Sequence, residues 1–204
     1  MVTLPLQVEE AAALYEAHEA AHAFDHVLRV YRLAEGIGRA EGADLRVVLT
    51  AALLHDVIHT GSDHHLRSAA RAREILRHEP SDFVDAVVHC IEAHRFRTGP
   101  SPRTLEAQVL HDADKLDAIG AIGVARAFAY AGYHGNRLWA PLAEVCQHPA
   151  PSGEAYTPVH EFWHKLQHLA QRLYTPTARR IAKERHAFMV AFFQRLDQEC
   201  QGEK

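Results

Sequence analysis

The chain has 204 residues, 48% hydrophobic and 24% charged, the balance of a soluble globular protein long enough to bury a core without disulfides or a structural metal. A net charge of −4 with histidine neutral argues against a grip on long nucleic acids, whose backbones are held by clustered Lys and Arg. What does not fit a bland globule is 17 histidines beside 22 Lys and Arg, because histidine titrates near neutral pH and is the commonest metal ligand. Cys90, Cys146 and Cys200 are far apart and form no CxxC pair, so neither a disulfide framework nor a thiolate zinc site is expected, and a reducing cytoplasm fits. Glu9 and Glu10 interrupt any signal-peptide core, and the longest strongly apolar run, Val47 to Leu54, falls far short of the ~20 residues of a membrane span.

Good helix formers dominate and alternating strand patterns are scarce, so the reading is all-α. A first helix is predicted from about Pro5 to Glu19. A second runs from about Ala21 to Ala40, with Phe24, Val27, Leu28, Tyr31 and Leu33 at helical spacing and Gly42 closing it. A third, from Asp44 to about Ile58, has almost no polar residue between Val47 and Leu54 and should be buried on most of its circumference. A shorter helix follows Gly61 through Leu76, and Ser81 caps the next, through Ile91. Gly99, Pro100 and Pro102 break the chain. A further helix is predicted to begin around His111 to Ala113 and to continue past Tyr130. Periodicity fades from 133 to 156, which reads as a loop or partial lid. Thr157 before Pro158 and Thr175 before Pro176 cap the two limbs of a C-terminal hairpin, with Ile181, Phe188, Phe192 and Leu196 as the apolar face of the last helix. No second-domain boundary is visible. The expectation is one domain over 1–204: core about 20–132, lid about 133–156, hairpin about 157–199.

The sharpest local feature is His55-Asp56 at the end of the most buried helix. A dipeptide alone reads as well as a satisfied core histidine beside a helix-end acceptor. Its company changes that: His26 lies on its own amphipathic helix, and Asp112, Asp114 and Asp117 lie in one acidic run. Helical geometry puts His111, Asp114 and Asp117 on one face, with Asp112 placed to be an N-cap, so spacing leaves several possible fourth ligands. His89 and His94 stand about 140° apart on a helix and cannot both face one site unless the helix ends between them; His94, which precedes the breaker region, is the one expected to contact phosphate.

The ordered set resembles the metal-dependent phosphohydrolase superfamily named for its HD dipeptide, and most closely the small stand-alone bacterial HD hydrolases. The resemblance is carried by His26, by Ala51-Ala52-Leu53-Leu54-His55-Asp56 and by the long segment from Asp112 to Gly123. It extends to Phe162-Trp163-His164-Lys165-Leu166 and Thr175-Pro176-Thr177-Ala178-Arg179, over about residues 20 to 199. It implies an all-α HD-domain bundle, with His26, His55, Asp56 and Asp114 as ligands of one divalent ion. Two imidazoles and two carboxylates suit Mn, Fe, Co or Ni, and accept Zn or Mg. Four protein ligands leave an octahedral ion open positions for water and a substrate oxygen. The implied reaction is attack of a metal-bound water on a small phosphorylated substrate, a nucleotide or deoxynucleoside triphosphate, with release of phosphate or pyrophosphate.

Metal and ligands nearly cancel in charge, so phosphate needs further cations. The candidates are Lys115, the cluster His94-Arg95-Phe96-Arg97, and Arg29. Related guanosine tetraphosphate hydrolases carry an acidic pair soon after the HD dipeptide, whereas here Ile58-His59-Thr60 stands there. His59, Asp63 or Glu106 is then the candidate base, or the metal alone activates water. His64-His65 follows Asp56 too soon to match the histidines of two-metal relatives, so one metal is the default. A two-metal phosphodiesterase and a non-catalytic module sensing a nucleotide or metal are the alternatives. The expected partner is a small phosphorylated molecule, with no long nucleic acid and no membrane. The C-terminal hairpin offers an apolar surface on which two copies could pair, so a homo-oligomer stays open.

Overall fold

The computed structural model describes residues 3–15, 20–95 and 99–203, with backbone alone at 20–23. Every regular element among the described residues is helical. The chain divides into two compact units, Met1–Asp114 with Tyr174–Ala178, and Lys115–Leu173 with Arg179–Lys204.

The first unit is built on five helices after a short α1 (Val8–Ala12): α2 (Ala20–Glu41), α3 (Leu45–Leu54), α4 (His64–Ile75), α5 (Ser81–Ala93) and α6 (Leu105–Leu116). On α2, Val27, Val30, Ala34 and Ile37 recur every three or four residues and are fully buried, which sets the face turned inward. Gly42, at φ +78°, ends α2 in the left-handed region that glycine reaches without a Cβ penalty. Asp44 then caps α3 by accepting from the backbone N–H groups of Arg46 (2.8 Å) and Val47 (3.4 Å). The eight residues from Val47 to Leu54 are all buried, and α3 packs against both α2 and α5. It stops at Leu54 rather than near Ile58, leaving His55 as its C-cap. The first predicted helix is shorter than expected, and 16–19 lie outside the described residues.

α6 starts well before the predicted His111. Thr104 closes its first turn, accepting from Ala107 N–H with its hydroxyl (3.2 Å) and from Gln108 N–H with its carbonyl (3.0 Å). The helix also fails to run on past Tyr130, because Gly120 takes φ +79° and divides it from α7 (Gly120–Tyr133).

In the second unit, α7 is followed by α8 (Leu142–Val145), α9 (Pro158–Glu161), a π-helical turn (Phe162–Leu166), α10 (Gln167–Leu169) and most of α11 (Pro176–Cys200). The first limb of the expected hairpin is therefore three short pieces. Thr157 and Thr175 do open their helices as expected, Thr157 in a reciprocal cap with His160 and Thr175 accepting from Ala178 N–H (3.3 Å). The predicted lid is tied down, since Asp197 of α11 accepts from Trp139 Nε1–H and Leu142 N–H, both at 3.0 Å. The aromatic core stacks Phe162 on Phe193 at 4.4 Å, with Phe128 beside them. The buried face of α11 is Ala178, Ala182, Met189 and Phe193, whereas Phe188 is 49% exposed, so the predicted face is rotated from the real one.

Candidate metal centre

α2, the end of α3 and α6 bring four predicted ligands together in the first unit. Ligand atoms of His26, His55 and Asp56 lie within 4.8 Å of one another. His26 Nε2 is 3.4 Å from His55 Nε2, 3.4 Å from Asp114 Oδ1 and 3.9 Å from Asp56 Oδ2. His55 is fully buried and donates Nδ1–H to Ala52 O (2.9 Å), which assigns its proton and turns a bare Nε2 toward His26. Burial pushes the His55 pKa down against the pull of Asp56, so the ring is neutral at pH 7. Burial also pushes the Asp56 carboxyl up, but the electrostatic pull of the His55 and His94 rings beside it outweighs burial and the net direction is down. Two imidazole nitrogens and two carboxylates converging from three helices form a donor set that a divalent ion fits.

A second group shares Asp56. Its other oxygen, Oδ1, lies 3.7 Å from His64 Nε2 and 4.0 Å from His94 Nε2, and these three also meet the spacing for an ion. His94 donates Nδ1–H to Ile91 O (2.6 Å) and His64 to Gly61 O (3.1 Å), so both present Nε2 to the carboxylate. Both His94, expected as a phosphate contact, and His64, expected to lie outside the site, thus stand beside Asp56. The missed signal is Ser68, buried on α4, whose hydroxyl accepts from Ile58 N–H (3.1 Å) and donates to Ile58 O (3.0 Å). That latch folds the segment after Asp56 back along α4 and delivers His64.

The remaining candidates separate by partner. Asp112 is no N-cap of α6, since it lies inside that helix; its carboxylate accepts from Tyr174 N–H and from both the N–H and hydroxyl of Thr175, capping the start of α11 instead. His111 is buried against Tyr174 and Asp112. Asp117 holds Arg126 at 3.1 Å within the second unit. Glu106 accepts from Asp44 N–H (3.1 Å), which spends it on the start of α3. His89 Nε2 accepts from Arg103 N–H, away from the carboxylates. Among the described residues His59 belongs to neither group. Lys115 follows Asp114 in the chain and begins the second unit, and Phe96 and Arg97 lie outside the described residues.

The second unit contains a cavity of about 690 Å³ lined by Arg126, Tyr130, Asn136, Tyr156 and Lys165 among others. That volume is in the range of small-molecule sites.

Comparison with known proteins gives a consistent result. The HD-domain family model matches residues 23–119, the stretch that contains His26, His55, Asp56 and Asp114. YpgQ of Bacillus subtilis (strain 168) is 36% identical over 188 residues, 89% of this chain and 85% of that one. The crystal structure of Bacillus subtilis YpgQ in complex with ADP aligns with a TM-score of 0.73 and 32% identity, covering 94% of both chains. An HD-superfamily hydrolase from Bacillus thuringiensis aligns with a TM-score of 0.72 and 26% identity over 95% of this chain and 96% of its own.

Proposed function

The chain belongs to the HD-domain superfamily, and from that membership we propose that it is a metal-dependent phosphohydrolase acting on a small phosphorylated substrate, a nucleotide or deoxynucleoside triphosphate. The observation that carries the reading is the convergence of His26, His55, Asp56 and Asp114 from three helices. These four would hold the ion. A divalent ion there supplies Lewis acidity toward water and a phosphoryl oxygen. His55, neutral and oriented by Ala52 O, contributes a nitrogen lone pair without needing to lose a proton first. His94 Nε2, 4.0 Å from Asp56 Oδ1, would hold a proton at a phosphoryl oxygen or leaving oxygen. Lys115, next in sequence to Asp114, offsets charge developing on phosphate. His59 is a weaker candidate base, because neither ligand group contains it.

A nucleotide substrate is supported by the YpgQ complex with ADP. The test is a panel of nucleoside triphosphates, diphosphates and phosphoesters with Mn²⁺ or Co²⁺, run beside Asp114→Ala. Phosphate or pyrophosphate should be released by the wild type, and Asp114→Ala should lose both bound metal and turnover. A folded wild type that cleaves nothing on the panel contradicts the proposal. A second reading, a two-ion phosphodiesterase, is favoured by the Asp56, His64 and His94 group. It requires two tightly bound ions per chain, and a stoichiometry of one removes it.

A further inference from the structure

α3 ends where the His55-Asp56 pair begins, and the last carbonyls of a helix have no partners in the next turn. Three consecutive ones are each taken by a different donor. Ala52 O accepts from His55 Nδ1–H at 2.9 Å, and Leu54 O accepts from Val57 N–H at 3.3 Å. Between them, Leu53 O accepts from the hydroxyl of Tyr15 at 2.9 Å. The first two bonds span only three residues, whereas the third comes from 38 residues upstream. Tyr15 also lies outside the 23–119 stretch that matches the family model. It is 5% exposed and packs with Ala11, Val27 and Leu53, its ring 5.3 Å from that of Phe24.

We propose that Tyr15 is a positioning residue for the metal centre, its hydroxyl fixing the Leu53 carbonyl and so the backbone that aims His55 and Asp56. A buried carbonyl deprived of its donor is driven to find another. The carbonyl can reorient by rotation of the Leu53–Leu54 peptide, directly before His55. Rotation of that kind spreads the donor set while leaving the apolar packing of Tyr15 intact. The N-terminal arm, with Leu4, Leu6, Val8 and Leu14 packed on the same cluster, thereby acts on the site without touching it.

The inference rests on the assignment of His26, His55, Asp56 and Asp114 as metal ligands. It is tested by titrating Co²⁺ into EDTA-stripped wild type, Tyr15→Phe and Tyr31→Phe, followed by calorimetry and by the visible spectrum of the bound ion. Tyr31 packs on the same cluster, so its variant loses a hydroxyl while the Tyr15 bond to Leu53 O is kept. Tyr15→Phe should bind Co²⁺ about tenfold or more weaker, the scale of lost support to metal ligands, with an altered spectrum. Tyr31→Phe should match the wild type in both. Wild-type affinity and spectrum in Tyr15→Phe, or a lowered melting temperature alone, would overturn the proposal. A wild type that takes up no Co²⁺ at all would instead remove the ligand assignment on which it rests.

Discussion

Asp112 and Asp114 stand two positions apart on one helix and serve opposite ends. Asp112 is fully buried and holds the start of α11 through Tyr174 and Thr175, whereas Asp114 faces His26. Asp112→Ala leaves the Tyr174 N–H and the N–H and hydroxyl of Thr175 without this acceptor, and His111 without its carboxylate neighbour, at about 1–3 kcal/mol for each donor that water cannot reach, so the urea midpoint should fall steeply. Asp114→Ala should leave that midpoint within about 0.5 kcal/mol in metal-free protein, because it removes a partly exposed carboxylate from an electron-rich cluster. Equal midpoints for the two variants would contradict the division of labour. The sequence placed both acids in one run and could not part them from the residues alone. Only the family resemblance chose Asp114, because the partner that claims Asp112 comes from a distant turn.

At the scale of elements, the all-α class, α2 and the burial of α3 were legible, since each depends on local periodicity and a cap. What failed depended on one residue or on tertiary contact. Thr104 caps α6 directly after the proline-rich break, and the acidic run downstream drew attention to the wrong start. The buried face of α11 was misread because Arg185 sits among its apolar positions. That arginine spends its guanidinium on Leu116 O, so a charge stands where a sequence pattern demands a hydrophobe. Gly123 of α7 is another case in which tertiary space decides. A Cβ there would lie 2.3 Å from the Ala118 carbonyl oxygen, a backbone atom that cannot swing aside, whereas a Cβ at Gly132 on the same helix meets nothing within 4 Å. Gly123→Ala should therefore cost about 3 kcal/mol, while Gly132→Ala should gain up to about 1 kcal/mol of helix propensity. Denaturant midpoints of the two variants read this directly, and a neutral Gly123→Ala would show that the turn before α7 can yield.

At the scale of the whole molecule, the histidine excess becomes a statement about pH. Burial lowers His55, His65, His89 and His160 from the ordinary value of 6.5. A folded-state pKa below the unfolded one means that the unfolded chain binds more protons between the two values. That contribution is present above about pH 6.5 and is lost as pH falls through the folded values. Asp56, also lowered, adds the same sign further into acid. In EDTA, the melting temperature should fall steadily from pH 7.5 to pH 5, and a higher melting temperature at pH 5.5 than at 7.5 would contradict these assignments. None of the described helices is long and apolar enough to cross a membrane. The central claim joins a metal to phosphoryl chemistry. It is tested most directly by incubating deoxynucleoside triphosphate with EDTA-stripped protein before and after one equivalent of Mn²⁺ per ligand set is restored, and reading EDTA-quenched samples by phosphorus NMR. The account predicts no new phosphorus signal before restoration and phosphate or pyrophosphate after it. Hydrolysis at the same rate without metal, or none with metal bound, would contradict it.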